Sequence, residues 1–272
     1  MIETATAAAR RAGDVLLSYW RNLPESSIEQ KALNDFVSRA DRESETAIVD
    51  SLLASSPTDS ILGEEGSRRS GSSGREWIID PLDGTSNFIA GFPFWCVSIG
   101  VRERGRLVGG VIFDPLRDEL FRAERGSGAF RNSQRLSVGR RESAEGAFLA
   151  TGFPFRARER IDDYLAIFRA LFLKARAIRR AGSAALDLAG VAAGIFDGFF
   201  EFRLSSWDIA AGAVLIEEAG GTLRDFEGGS DYLETGDVVA GTAGVVGDIL
   251  SIIAETRGSP TRNGDFTARK GR

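Results

Sequence analysis

The stretch that most constrains the fold runs from Trp77 to Phe88 and reads Trp-Ile-Ile-Asp-Pro-Leu-Asp-Gly-Thr-Ser-Asn-Phe. Trp77, Ile78 and Ile79 have the apolar, β-branched character of a buried strand, and Asp80-Pro81-Leu82-Asp83-Gly84 breaks that strand with turn-forming residues. Two carboxylates therefore stand at the end of a rigid element. Pro81 fixes its own φ and biases Asp80 toward an extended backbone, so both side chains and the Leu82 carbonyl can face one concavity beyond the sheet. Oxygen ligands gathered this way suit a hard divalent cation. The same five residues also make a plain turn. Gly84, Thr85, Ser86 and Asn87 then open a possible helix with small residues, whose backbone N–H groups would face an anion. Ligands for a cation beside a cradle for an anion are more than a hairpin needs.

The chain contains no histidine. That removes Ser-His-Asp and Cys-His machinery and the usual zinc sites, and it leaves hydrolysis to metal-activated water or a perturbed carboxylate. With 34 basic and 39 acidic residues, a net charge of -5 argues against a general nucleic-acid binder. No apolar run reaches the length of a membrane span, and the first twenty residues lack the apolar core of a signal peptide. One cysteine, Cys96, allows no disulfide framework, so a cytoplasmic protein is expected.

Helical spacing of Ala8, Ala12, Val15, Leu16 and Tyr19 predicts an amphipathic helix from Glu3 to Trp20, and a second is expected from Phe36 to Ala54 with Asp41 beside its apolar stripe. Ile61 and Leu62 form a short strand ending at Gly63-Glu64-Glu65-Gly66. The Gly/Ser/Arg segment from Gly66 to Gly74 has little to bury and is expected to be a mobile flap anchored by Glu64 and ordered by metal. Phe94 to Val101, Leu107 to Phe113 and Glu119 to Ala123 read as an antiparallel meander, followed by turns and a boundary from Gly126 to Gly146. Strands and helices then alternate, with helices at Ile161 to Leu173, Ser183 to Ala193, Trp207 to Ala219 and Ala243 to Ile253. The division expected is residues 1–145 as an α+β half carrying the metal and phosphate motifs, 146–256 as an α/β half completing the site, and 257–272 as a disordered tail.

Each acidic candidate has an ordinary explanation as well. Glu64 and Glu65 also read as solvated loop charges, and Ser205-x-x-Asp208 fits a capping box at a helix start. Cys96 and Arg102 have the C-x5-R spacing of cysteine-dependent phosphatases, but that chemistry needs a loop of N–H groups, and Cys-Val-Ser-Ile-Gly-Val reads as a buried strand.

Asp80-Pro81-Leu82-Asp83-Gly84-Thr85-Ser86-Asn87-Phe88, with Trp207-Asp208-x-Ala210-Ala211-Gly212 and Glu218-Ala219-Gly220-Gly221, resembles the two signature motifs of the inositol monophosphatase family. The resemblance extends to Gly63-Glu64-Glu65, the Asp41 region and Gly182-Ser183-Ala184-Ala185-Leu186-Asp187, and the second half looks closest to the bacterial branch. It implies a layered α-β-α-β-α sandwich and Mg²⁺-dependent hydrolysis of a phosphate monoester, with two or three ions. By motif position Glu64, Asp80, the Leu82 carbonyl, Asp83 and Asp208 resemble the metal ligands, with Glu64, Asp41 and Thr85 the catalytic set that positions and activates water. Gly84 and Thr85 look like the phosphate cradle, Glu201 like the carboxylate that receives substrate hydroxyls, and Ala184 like a contact to the substrate ring, with Asp208 also facing substrate. Physical chemistry agrees that such a set needs cations: each like-charged pair at about 4 Å costs on the order of 4 kcal/mol at an effective dielectric of 20.

The Lys31 to Asp35 spacing is one residue short of the family pattern, and Arg203-Leu204-Ser205 sits where members vary with substrate. Inositol 1-phosphate is therefore a default, with fructose 1,6-bisphosphate, histidinol phosphate and 3'-phosphoadenosine 5'-phosphate open. Family resemblance further implies Li⁺ inhibition and a homodimer. A regulatory role in RNA metabolism, as some bacterial relatives have, is the alternative, motivated by Lys174, Arg176, Arg179 and Arg180 and by the basic tail.

Overall fold

The structure, a computed structural model, describes residues 1–32 and 35–258. The side chain of Lys31 and residues 259–272, where a site lysine and a disordered tail were in question, lie outside the described part.

Helix α1 (Ile2–Tyr19) buries Ile2, Ala5, Ala8, Ala9, Ala12 and Leu16 along one face. A hairpin of β1 (Ile28–Ala32) and β2 (Asp35–Ser38) leads into α2 (Arg39–Ser55). Phe36 to Ser38, expected as the first turn of that helix, is strand instead. The cause is a cap: the Ser38 N–H and hydroxyl both donate to the Asp41 carboxylate, at 2.9 and 2.6 Å, which fixes the helix start at Arg39.

The chain then builds a sheet from β3 (Ser60–Gly63), β4 (Arg68–Arg69) and β5 (Arg75–Asp83), passes through the short helix α3 (Thr85–Ala90), and continues as β6 (Cys96–Glu103), β7 (Arg106–Asp114) and β8 (Glu119–Glu124). The meander forms as expected. It also goes further, into β9 (Gly128–Arg131) and β10 (Gln134–Arg135), where only turns were expected. Asn132 at φ 53° supplies the left-handed residue that closes this last hairpin. The eight strands lie in the order β10-β9-β8-β7-β6-β5-β3-β4, with only β3 and β5 parallel.

The second half runs β11 (Phe148–Thr151), α4 (Ile161–Phe172), β12 (Ala177–Arg179), α5 (Ala184–Ala192), β13 (Gly198–Glu201), α6 (Ser206–Glu218), β14 (Thr222–Arg224), α7 (Tyr232–Thr235), β15 (Val238–Gly241) and α8 (Ala243–Gly258). Its five strands lie in the order β12-β11-β13-β15-β14. The last helix continues past Ile253, the expected end. Arg257, expected in the tail, pairs with Glu227 and lies 3.7 Å from Asp237.

Period-two alternation turns these pieces into five layers. Trp77 and Ile79 pack on α1 and α2, while Ile78 between them faces α6 on the other side of the sheet. In β13, Phe199 points to α5 and α6, and Phe200 to α4 and α8. The result is the expected α-β-α-β-α sandwich, with α5 and α6 buried between two sheets. Gly100 and Gly110, paired across β6 and β7, let α6 approach closely: a Cβ on either would stand 2.5 or 2.6 Å from Ala210 or Ala211.

The Gly66 to Gly74 segment is better anchored than expected. Arg68 and Arg69 pair with β3, Ser72 and Ser73 N–H groups donate to the Thr58 carbonyl, and Glu45 accepts from the Glu65 and Ser67 N–H groups at 2.8 and 2.9 Å. Glu45 holds the start of the loop through these two amides. Among the described residues no helix is long and apolar enough to cross a membrane.

Candidate functional site

Asp80 and Asp83 are three residues apart, a spacing that puts side chains on opposite faces of a regular strand. A bulge resolves this. Asp80 pairs with Ser98 and Asp83 with Cys96, so three steps on β5 match two on β6, and the extra residue at Pro81-Leu82 turns both acids toward one side. The Ser44 hydroxyl holds the Pro81 carbonyl at 2.9 Å, and the Asp80 carboxylate accepts from the Leu82 N–H at 3.0 Å. Gly84 follows at φ 97°, where a Cβ would meet the Phe94 carbonyl oxygen at 3.0 Å.

The second half supplies the facing wall. Ser183, at the N-terminus of α5, donates to Asp83 at 2.6 Å, and the Ala185 N–H donates to the same oxygen at 2.7 Å. Asn87 ties α3 across by donating to the carbonyls of Phe94 and Ala181, at 2.7 and 2.9 Å. Asp208, in the first turn of α6, accepts from the Ser205 N–H at 2.7 Å, so it is a capping residue and a cavity residue at once.

Glu64, Asp80, Leu82, Asp83, Gly84, Thr85, Ala184, Glu201 and Asp208 all line one cavity of about 430 Å³. Asp41, the tenth residue singled out, sits buried behind it, with its carboxylate 2.9 Å from the Thr85 hydroxyl. Asp80, Asp83 and Asp208 each present an oxygen within 4.8 Å of the others. Glu64 stands beside this trio and is drawn toward Arg156, whose guanidinium lies 3.6 Å from Glu64 and 2.9 Å from Asp208.

These acids are poorly solvated. Burial pushes Asp80 well above the usual carboxylate range, helped by the charges of Glu64, Asp83 and Asp208. Burial and then Asp208 raise Asp83 to about 7, against the hydrogen bonds from Ser183 and Ala185. Glu201 is raised to about 8 by burial and by Asp208 and Asp83. An all-carboxylate and carbonyl donor set of this density fits Mg²⁺ and lacks the nitrogen or sulfur that softer metals prefer. Cys96 is no competitor: it is buried in β6, and Arg102 bonds Glu76 at 3.0 Å.

Arg156, Arg180, Asp187, Phe153 and Phe155 also line the cavity and were not foreseen. Asp187 lay inside a quoted motif, yet its buried Oδ1, without a hydrogen-bond partner, could not be read from spacing. Arg156 is one of 34 basic residues and carries no local signature.

The inositol monophosphatase family profile matches residues 1–257. A Pseudomonas aeruginosa protein called Nus factor SuhB is 47% identical over 258 residues, covering 93% of this chain and 95% of the relative. The crystal structure of extragenic suppressor protein suhB from Bartonella henselae superposes with a TM-score of 0.88 at 40% identity, covering 92% of this chain and 97% of that one. The inositol monophosphatase from Anabaena (Nostoc) gives a TM-score of 0.84 at 36% identity, covering 93% and 95%.

Proposed function

The chain belongs to the inositol monophosphatase family of phosphomonoesterases, and from that premise we propose that it hydrolyses inositol 1-phosphate or a similar small polyol or sugar phosphate, with Mg²⁺ as cofactor. Glu64, Asp80, Asp83, Asp208 and the Leu82 carbonyl would hold the ions. When bound, Mg²⁺ neutralises the cluster and makes water a nucleophile near neutral pH. The observation that carries the reading is the convergence of Asp80, Asp83 and Asp208 oxygens within 4.8 Å from two distant parts of the chain.

The chain's own groups do the rest. Thr85 orients the attacking water, and its hydroxyl, 2.9 Å from Asp41, passes a proton toward that buried carboxylate. Asp41 is held in place by Ser38 and raised above its ordinary value by burial, which suits an acceptor. Backbone N–H groups at Gly84 and Thr85 cradle the phosphate, and Ala184, Glu201 and Asp208 face the polyol. Arg203 and Leu204 form the wall that discriminates among esters. An exposed stripe on α4, Ile161, Leu165 and Phe172, supports a homodimer, and a lone buried Cys96 suits the cytoplasm.

The test is a panel of phosphate esters with Mg²⁺, ranked by kcat/KM, with Li⁺ as inhibitor. Full turnover by a folded Asp83→Asn protein would refute the reading. The relative called Nus factor SuhB favours a second one, a regulatory partner in transcription, for which Arg176 and Arg179 over the Phe148 ring offer a basic face. Pull-down with transcription components by a protein that turns over no ester selects it.

A further inference from the structure

The acidic cluster has a cation of its own. Arg156 reaches it from the loop between β11 and α4, and its guanidinium bridges acids from both halves: Glu64 at 3.6 Å and Asp208 at 2.9 Å, with the Ser205 hydroxyl at 3.0 Å. Of the other two cavity arginines, Arg180 stacks over Phe153 and Phe155 at 5.1 and 5.3 Å, and Arg203 lies on the loop before α6. We propose that Arg156 is a resident counter-ion of the acidic cluster and competes with the divalent cation for Glu64 and Asp208.

The argument is one of charge and space. Three buried acids and Glu64 outweigh a single guanidinium, so a divalent ion remains favourable there. A carboxylate oxygen held in a charge-assisted hydrogen bond is nevertheless less available as a ligand. The oxygen of Asp208 that Arg156 holds, Oδ2, also accepts from the Ser205 N–H, and it turns to a cation only when Arg156 lets go. The loop permits this: Arg156 is 44% exposed, while the anchors around it are separate, with Ala157 buried and Arg160 bonded to Asp237 at 2.7 Å. Swinging the side chain out disturbs neither. Arg156 thereby stabilises the acidic cluster and weakens cation binding, which sets how much Mg²⁺ the protein needs.

This rests on the reading that these acids hold a divalent cation, and calorimetric titration separates the two. Wild type, Arg156→Gln and Arg156→Lys, each checked for fold by circular dichroism, are titrated with MgCl₂ and with MnCl₂. Arg156→Gln is expected to bind about tenfold more tightly, the direction set by removing a partly screened positive charge. Arg156→Lys keeps the charge without the fork and is expected to gain about threefold, which keeps the question answerable should the Gln variant not fold. In chelator, Arg156→Gln is expected to melt below wild type, and saturating Mg²⁺ to close the gap. Unchanged or weaker metal affinity in both variants overturns the proposal. A wild type that takes up neither metal overturns the metal reading itself.

Discussion

Asp83 shows how one side chain serves two demands. One oxygen is held by Ser183 and Ala185, which leaves the other for the cavity. Asp83→Asn keeps an acceptor for those donors while removing the charge, so it is expected to fold normally and lose about a hundredfold or more in kcat, measured against wild type on the best ester. Thr85→Ala is expected to cost less, because Asp41 keeps its bonds to Ser38, and the check is kcat at saturating Mg²⁺. At this scale the sequence was legible where chemistry is packed into a short motif. Asp80, Leu82 and Asp83 declare themselves within one turn. Arg156 does not, because its partners Glu64 and Asp208 lie far from it along the chain, and only folding makes them neighbours.

Elements position the site through few contacts each, and the strongest is α6 lying on the paired Gly100 and Gly110. Gly110→Val would drive a side chain into the Ala211 backbone and is expected to destabilise by about 1–3 kcal/mol, read as a lower Tm, with activity lost in parallel as Asp208 shifts. Glu45→Ala is expected to raise hydrogen exchange at the Glu65 and Ser67 amides more than chelation does, because Glu45 is what those amides bond. Equal protection in wild type and variant would remove that idea. Helices and the meander were legible from periodicity. The hairpin of β1 and β2 was not, because Phe36 and Val37 continue a plausible helical stripe and only the bonds from Ser38 to Asp41 show where the helix begins. Strands β9 and β10 were hidden among turn residues because each is short and gains its pairing from a neighbour already in place.

The molecule as a whole carries a load that metal should relieve. Asp83 and Glu201 have folded values of about 7 and 8 against ordinary values of 3.8 and 4.5. Between those limits the native state binds more protons than the unfolded chain, so stability falls as pH rises. The metal-free protein is therefore expected to show a Tm that declines from about pH 4 through pH 8, whereas saturating Mg²⁺ flattens the profile; thermal melts in chelator and in Mg²⁺ across that range are the check. The five-layer sandwich was expected from the family resemblance, and the alternation in β5 and β13, where neighbouring residues serve different cores, is what builds it. That same alternation has a use in the laboratory. The acids stand on strand ends and helix starts clamped from two sides, while Phe155, Arg203 and Leu204 project from connecting loops. Libraries built at the exposed Phe155 and Arg203 should therefore change which ester is accepted at little thermal penalty, while Leu204, which also packs against the core, is best kept apolar; the scaffold is a starting point for directed evolution.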